Sequence, residues 1–362
     1  MDWPRTHPLT RYIFIPAFKL HMKAIGAIQA LPVTDPACLI EFRTPRPKPG
    51  PHDILVEVGG VGINPVDTKI RKSLGNQPAK QPTILGWDGA GKVIATGKEV
   101  SHLRIDDDVY YAGDVTRPGC NAEFQLVDAR LVARKPDNCT MAEAAALPLV
   151  GITAWELLLE RMIVNSTKSA DDNLILIING AGGVGSAMIP MAKMIGLQVV
   201  ATASRPETIA WCKSLGADHV INHHKTLIPQ AKALGIDQFT YIANLYDTDA
   251  YWETMAELIA PMGSIGCIVE PKEKLHIGDP LKAKCVRICW EFMFARSKFQ
   301  TPDMHRQGVI LSEIAKLCEQ GIIPKLVTRL FHGLTTENLI ESHAAMEAGK
   351  AYGKWVLDTI HK

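Results

Sequence analysis

The sequence lacks an excess of charge of either sign. Lys and Arg total 39 residues and Asp and Glu total 38, which gives a formal net charge of +1. The charges are also scattered, without a basic run or an acidic tail. A protein that recruits nucleic acid or an anionic membrane through its electrostatic field needs a surplus of basic residues. We therefore expect neither nucleic acid nor membrane as a partner.

Long apolar runs and paired cysteines are also missing. We find no apolar run that approaches the roughly 18 to 20 residues of a membrane span. The eight cysteines include no C-x-x-C pair, and a chain of 362 residues does not need disulfides to stabilise its core. Charges and prolines interrupt the short apolar patch near the N-terminus, as they would not in a secretory signal. These features predict a cytoplasmic protein in which residues 1–21 precede the folded part.

The composition that is present is typical of a globular enzyme. Hydrophobic residues make up 47% and charged residues 21%, and the length suits about two domains. Between residues 22 and 150, short β-patterns such as Ile54, Val56 and Val58 alternate with Gly and Pro. Many short strands with this punctuation predict a small barrel or partly open sheet.

The pattern changes near residue 141 to strands that alternate with helices. Thr140 is the predicted N-cap of a helix that starts at Met141. The run 174–178 is apolar at every position, as in a strand buried on both faces. Helix-length intervals separate it from five further predicted strands at 199–202, 219–222, 239–243, 264–269 and 286–294. We predict an α/β fold with a doubly wound parallel sheet, followed by a helix over 303–319 and a closing strand over 354–357.

A glycine-rich turn follows the first strand of this sheet. Gly180, Gly182 and Gly185 fit the pattern G-x-G-x-x-G between the strand 174–178 and a predicted helix over 186–195. Such glycines let backbone N–H groups approach a pyrophosphate, and the helix N-terminus adds partial positive charge. The motif predicts a dinucleotide site, the alternative being a turn that is glycine-rich for packing alone. Pro190 inside the helix is expected to kink it.

The end of the second strand indicates which dinucleotide binds. An NAD site places an acidic residue there to hold the ribose 2′-hydroxyl. This chain has Ser204 and Arg205 instead, and a guanidinium group can pair with a 2′-phosphate. A solvated Arg205 without a ligand is the alternative. The pattern favours NADPH as the cofactor.

Several motifs together resemble one protein family. They are Gly62–Asp67, Gly86–Gly91, Leu147–Trp155, the glycine turn, Trp290–Ser297 and Gln300–Met304. In this order they resemble the medium-chain dehydrogenase/reductases, within the quinone oxidoreductase and zeta-crystallin branch that includes zinc-type alcohol dehydrogenase-like proteins. The resemblance spans about residues 22 to 360. It implies a GroES-like catalytic domain formed by residues 22–150 and 297–362, a Rossmann domain over 151–296, and a homodimer paired through the last Rossmann strands.

The residues themselves argue against zinc. Zinc-using relatives of this family have Cys at the position of Asn64 and Gly-His-Glu at the positions of Gly86, Trp87 and Asp88. Cys120 is the one cysteine between residues 39 and 138. A zinc site needs three or four clustered nitrogen, sulfur or oxygen ligands. We therefore predict no bound metal.

The resemblance also implies site residues. It places Asn64 and Asp67 in the catalytic cleft, Thr153 beside the nicotinamide, Gly182, Gly183 and Val184 at the pyrophosphate, Asn222, Asn244 and Leu245 near the adenosine or nicotinamide, and Lys354 at the cofactor. Structural alternatives exist for two of them. Asn64 could shape a turn with Pro65, and Asp67 could cap a helix that starts at Thr68.

These elements predict an NADPH-dependent oxidoreductase that transfers hydride to a small quinone, enone or other carbonyl without zinc. The tyrosine with which enoyl reductases protonate their substrate is missing after Arg71, which disfavours enoyl thioesters. A zinc-dependent alcohol dehydrogenase and a non-catalytic NADPH-binding protein are the alternatives. Trp87, Phe292 and Phe294 are either flat walls for a ring-shaped substrate or core aromatics.

Overall fold

The computed structural model describes residues 20–164 and 173–359. Nearly all of the predicted N-terminal extension, residues 1–19, lies outside the described residues.

The first part of the chain is rich in short strands, as the alternation of β-patterns and turns predicts. Its strands are β1 (His21–Ala27), β2 (Ile40–Pro45), β3 (Asp53–Gly62), β4 (Thr83–Ile84), β5 (Gly89–Thr96), β6 (Asp108–Tyr111), β7 (Phe124–Asp128) and β8 (Ala133–Arg134). Its helices are α1 (Pro65–Ser73) and α2 (Met141–Ala144), with 3-10 turns at Pro36–Cys38 and Ala129–Leu131.

The middle part alternates strands and helices. It contains α3 (Pro148–Trp155), a π-helical turn (Glu156–Arg161), β9 (Leu174–Ile178), α4 (Gly183–Met194), β10 (Gln198–Thr202), α5 (Pro206–Ser214), β11 (His219–Ile221), α6 (Leu227–Ala233), β12 (Phe239–Asn244), α7 (Thr248–Leu258), β13 (Ile259–Cys267) and β14 (Arg287–Trp290). Its six strands pair in parallel in the order β11-β10-β9-β12-β13-β14. This order confirms the predicted doubly wound parallel sheet.

The last part returns to the first. It consists of α8 (Ala295–Lys298), α9 (Arg306–Glu319), β15 (Val327–His332), α10 (Thr336–Glu347) and β16 (Lys354–Asp358). Strand β16 pairs antiparallel with β3, with Val356 opposite Gly62. It thereby joins a seven-stranded sheet with the path β15-β16-β3-β5-β6-β8, to which β7 is added beside β3, while β2-β1-β4 form a separate sheet. The two ends of the described chain thus contribute strands to one sheet.

The starts of two helices differ from the sequence predictions. Helix α4 begins at Gly183 rather than 186, and α9 begins at Arg306 rather than 303. Helix α4 also runs through Pro190. Its neighbours Ile189 and Met191 are buried, so packing on both sides offsets the lost backbone hydrogen bond. The predicted N-cap is confirmed, since the Thr140 hydroxyl accepts a hydrogen bond from the Glu143 N–H at 3.2 Å.

The helical stretch Met141–Arg161 corrects the prediction that no apolar run is long enough to span a membrane. It has 21 residues, a mean hydropathy of 1.4 in its most apolar window, and few charges. Within the fold, 78% of that window is buried. The charged residues of this stretch are Glu143, Glu156, Glu160 and Arg161, which divide it into shorter apolar runs in the sequence. Burial of this extent is typical of a core helix.

Candidate active site

The glycine turn connects β9 to α4. Asn179 has a φ of 65°, in the left-handed region, and the turn ends where α4 begins at Gly183. A Cβ atom on Gly180 would lie 2.7 Å from the Cβ of Ala201, and one on Gly185 would lie 2.4 Å from the carbonyl oxygen of Gly180. Only glycine therefore allows this close approach of helix and strand.

The same turn suits a pyrophosphate. Gly182 is the N-cap of α4, and Gly183 and Val184 form its first turn. The first N–H groups of a helix have no intrahelical acceptor, and they carry the positive end of the helix dipole. The residues that the motif singles out thus fit the diphosphate of a dinucleotide by their backbone groups.

Ser204 and Arg205 follow β10 at the same edge of the sheet. The guanidinium Nε of Arg205 lies 3.1 Å from a carboxylate oxygen of Glu207, and its NH2 donates to the carbonyl oxygen of Lys350 at 3.1 Å. The side chain of Arg205 is 38% exposed. A cation is therefore held in place beside the strand end, and one neighbouring carboxylate competes for it.

Two histidines that the sequence analysis missed lie next to this arginine. The ends of β10 and β11 are adjacent, because the Ala203 N–H donates to the Ile221 carbonyl at 3.0 Å. His223 and His224 follow β11, with ring centroids 4.8 Å apart. Burial and then the neighbouring His224 hold the pKa of His223 below its ordinary value. The signal for them was two consecutive histidines immediately after a predicted strand.

Asn222, Asn244 and Leu245 also lie at the carboxyl ends of the parallel strands. Their polar groups are used locally. The Asn222 side chain accepts from the His224 N–H at 2.8 Å, and the Asn244 amide donates to the Thr248 hydroxyl at 3.2 Å. Leu245 is buried, and its N–H donates to the carbonyl of the last β9 residue at 3.3 Å. The structure therefore places these residues at the same edge of the sheet as the glycine turn and gives the two asparagines structural roles there.

Across from the turn, three side chains form a buried polar centre. The ammonium Nζ of Lys354 donates to the Asn64 Oδ1 at 2.5 Å, to an Asp88 carboxylate oxygen at 2.8 Å and to the Ile63 carbonyl at 3.1 Å. The Asn64 amide also donates to Asp88, at 2.8 Å, and the second oxygen of Asp88 accepts from the Leu149 N–H at 2.8 Å. Burial raises the pKa of Asp88, an effect that the ammonium group of Lys354 opposes.

Asp67 lies beside this centre. Helix α1 begins at Pro65, so Asp67 sits in its first turn and does not cap a helix from Thr68. Its Oδ2 accepts from the Asn64 N–H at 2.8 Å, and its Oδ1 has no hydrogen-bond partner among the described residues. Burial raises the pKa of Asp67 to about 7, although the hydrogen bond from the Asn64 N–H and the charge of Lys354 oppose the shift. This carboxyl group is therefore near its midpoint at neutral pH.

Thr153 projects from α3, one turn beyond Leu149. Its hydroxyl donates to the Leu149 carbonyl at 2.7 Å, and the side chain is buried. Because its proton is used inside the helix, the hydroxyl can offer only lone pairs to a ligand.

The three aromatic residues considered as substrate walls, Trp87, Phe292 and Phe294, do not share one environment. Trp87 and Phe294 are core residues, 1% and 2% exposed, and the Trp87 indole donates to the Asp114 carbonyl at 3.0 Å. Phe292 is 48% exposed and contacts Phe294 edge to face. Core packing accounts for the first two, and Phe292 lies at the surface.

The side chains of the polar centre do not suit a metal ion. Within residues 20–164 and 173–359, no group of three or more His, Cys, Asp or Glu side chains could hold one. The Asn64 amide is surrounded by the carboxyl groups of Asp67 and Asp88 and the ammonium group of Lys354. An ammonium group cannot be a metal ligand while it is protonated, so these residues do not fit a zinc ion.

Comparisons with known proteins agree with this architecture. Residues 183–304 match the zinc-binding dehydrogenase family model, and residues 50–137 match the alcohol dehydrogenase GroES-like domain. A zinc-type alcohol dehydrogenase-like protein of Staphylococcus aureus is 40% identical over 338 residues, which cover 93% of this chain and 100% of that protein. The chain belongs to the medium-chain dehydrogenase/reductase superfamily.

Other members of the superfamily are similar over different lengths. A solved protein from Rhizobium etli, provisionally described as a zinc-dependent alcohol dehydrogenase, has a TM-score of 0.89 at 43% identity and covers 94% of this chain and 99% of its own. The quinone oxidoreductase of Coxiella burnetii has a TM-score of 0.75 at 26% identity, with 94% and 100% covered. The 2-methylene-furan-3-one reductase of Solanum lycopersicum is 37% identical over 59% of this chain and 53% of its own length.

Membership of the medium-chain dehydrogenase/reductases establishes the coarse chemistry. The protein is an oxidoreductase that binds a nicotinamide cofactor and acts on a small molecule. The glycine turn and the first turn of α4 are the residues that fit the cofactor diphosphate. The polar centre around Asn64 lies across from them, in the GroES-like unit.

The raised pKa of Asp67 predicts a pH-dependent stability. Between about pH 4 and pH 7 the unfolded chain loses this proton and the folded chain keeps it, so the free energy of unfolding falls as pH rises. Asp67→Asn removes this contribution. We expect the stability of Asp67→Asn relative to the unmodified protein to increase from pH 4 to pH 7 and then to level off, as measured by denaturant unfolding.

Asp218→Asn is the matched control. Although partial burial opposes it, hydrogen bonds from Lys193 and the Val199 N–H lower the pKa of Asp218. The stability that Asp218 contributes is lost only as pH falls below about 4, so this variant should show a constant stability difference between pH 4 and pH 7. A stability difference for Asp67→Asn that does not change between pH 4 and pH 7 would contradict the account.

Proposed function

We propose that this protein transfers hydride from NADPH to a small quinone or α,β-unsaturated carbonyl, without a metal ion. The observation that carries the proposal is the pairing of a dinucleotide-type glycine turn with a cleft centre built from Asn64, Asp88 and Lys354. When bound, the reduced nicotinamide supplies the hydride. The protein binds and orients the reactants and excludes water.

The hydrogen bonds of the cleft favour an electron-poor acceptor. A Lewis acid speeds the oxidation of a simple alcohol by lowering the pKa of its hydroxyl group, and these side chains do not form a metal site. The amide protons of Asn64 and the hydroxyl proton of Thr153 are already donated to protein acceptors. A quinone or enone spreads the developing negative charge over its own conjugated system, so it requires less stabilisation from protein donors.

Several of the residues that the resemblance implies have a place in this proposal. The turn from Gly180 to Gly185 holds the cofactor diphosphate through backbone groups. Thr153, buried on α3, contacts the nicotinamide side of the cleft by its lone pairs. Asn64 and Asp67 shape the substrate side. The reductase and quinone oxidoreductase names of two relatives support this substrate class for the chain.

The cofactor preference rests on the cation Arg205 and the polar side chains around it at the ends of β10 and β11. Arg205, His223 and His224 lie there beside the Ser204 hydroxyl, and the segment 201–205 contains no carboxylate to bind the 2′-hydroxyl of NADH. A 2′-phosphate would gain charge-assisted hydrogen bonds from the guanidinium group. This arrangement supports NADPH over NADH.

The cofactor preference has a direct test. We expect NADPH to bind at least about 10-fold more tightly than NADH, which corresponds to about 1.4 kcal/mol. Arg205→Ala should remove most of this difference and leave NADH binding nearly unchanged. Glu207→Gln is the control, since it frees Arg205 from its carboxylate neighbour and should not weaken NADPH binding. Equal affinities of the unmodified protein for the two cofactors in fluorescence titrations would refute the preference.

Substrate assays test the reaction itself. With NADPH present, we expect measurable oxidation of the cofactor at 340 nm on addition of a small quinone or a conjugated enone. With the oxidised cofactor, ethanol and similar primary alcohols should be oxidised very slowly. Rapid alcohol oxidation with inert quinones and enones would point to an alcohol dehydrogenase. Tight cofactor binding with no turnover of any acceptor would point to a non-catalytic NADPH-binding protein.

The proposal includes a cytoplasmic homodimer. Strand β14 is an edge of the six-stranded sheet, and Trp290 at its end and Phe292 beyond it are 46% and 48% exposed. An open strand edge with exposed aromatic side chains is suited to pairing with a second chain. Light scattering should give the mass of two chains.

A further inference from the structure

Lys354 is a fully buried cation whose hydrogen-bonding capacity is used up within the protein. An ammonium group has three N–H donors, and here they go to the Ile63 carbonyl, the Asn64 amide oxygen and the Asp88 carboxylate. The residue is 2% exposed. Burying a lysine is costly unless the charge is paired and hydrogen-bonded, so this arrangement has a strong constraint on its geometry. The ammonium group has no donor left for a substrate or a phosphate.

The partners of Lys354 come from separate parts of the chain. Asn64 follows β3, and Asp88 directly precedes β5. The second oxygen of Asp88 accepts from the Leu149 N–H in the first turn of α3, the helix that carries Thr153. One lysine therefore fixes the substrate side of the cleft and, through Asp88, the start of α3.

The stem of the same lysine lies beside the glycine turn. A Cβ atom on Gly183 would lie 3.2 Å from the Cδ of Lys354, and the N–H of the preceding Gly353 donates to the Ala181 carbonyl at 2.8 Å. Gly183 is the first residue of α4, where the diphosphate is proposed to bind. The lysine thus lies between the cofactor turn and the polar centre, with its stem beside the first and its ammonium group bonded to the second.

We infer that Lys354 is a positioning residue that couples cofactor binding to the geometry of the catalytic cleft. This inference rests on the proposed function, because it assigns a role within that same site. Its ammonium group orients the Asn64 amide and the Asp88 carboxylate, and its stem supports the turn that holds the diphosphate. It touches no reacting atom, so it is not a catalytic residue.

The charge and the geometry of Lys354 can be separated by a pair of substitutions. Lys354→Met leaves Asp88 buried without its counter-charge, so the variant should be destabilised. Adding Asp88→Asn removes the uncompensated charge, so the double variant should regain most of the lost thermal stability. If Lys354 is only a structural ion-pair partner, the double variant should also regain cofactor affinity and kcat. If Lys354 is a positioning residue, the double variant should regain neither.

We expect the double variant to regain stability without regaining function. The dissociation constant for NADPH should remain at least about 10-fold raised and kcat at least about 10-fold lowered, since small displacements of aligned groups cost rates of this order or more. Lys325→Met is the control, because it removes a lysine from an exposed ion pair with Glu143 and should change neither quantity.

Two results would overturn the inference. One is a double variant whose cofactor affinity and kcat return to those of the unmodified protein, which would make the lysine a structural ion pair only. The other is Lys354→Met with unchanged cofactor affinity and kcat. If Lys354→Met does not fold, the double variant alone provides both readouts. Cofactor affinity does not depend on the acceptor, so an unmodified protein that binds NADPH but reduces no quinone or enone would contradict the proposed function and leave this test intact.

Discussion

The ion pair between Lys354 and Asp88 is the interaction on which the cleft depends. Both groups are removed from water, and the cost of their desolvation is offset only if every remaining donor and acceptor is satisfied. The Asn64 amide, the Ile63 carbonyl and the Leu149 N–H meet that requirement. These partners bring the end of β3, the start of β5 and the start of α3 to one point, beside the glycine turn at which α4 begins.

The same arrangement sets the chemistry of the site. Lys354 and Asp88 neutralise one another, and Asp67 is the second buried carboxyl group of the cluster, whose pKa is raised to about 7 by burial. Asn64 and Thr153 donate their protons to protein acceptors, so a substrate finds few free donors. We infer that such a cleft works on acceptors that hold negative charge within their own conjugated system.

Local patterns predicted the parts of the fold that depend on local physics. The all-apolar run at Leu174–Ile178 became the central strand β9, and the spacing of Gly180, Gly182 and Gly185 predicted the turn into α4. Contacts between distant residues left no such pattern. Lys354 is separated by 266 positions from Asp88, and no periodicity connects them. The engaged protons of Asn64 and Thr153 were equally unpredictable, because a hydrogen-bond partner is a property of the packed structure.

The central claim is that hydride transfer here proceeds at a centre in which an amide, a carboxylate and an ammonium group take the place of a metal site. The most direct test is elemental analysis of protein purified without added metal and dialysed against a chelator, combined with a quinone or enone assay of the same sample. The account predicts far less than one zinc ion per chain and unchanged NADPH oxidation. Stoichiometric zinc that survives dialysis, or activity that is lost with the metal and returns with zinc, would contradict it.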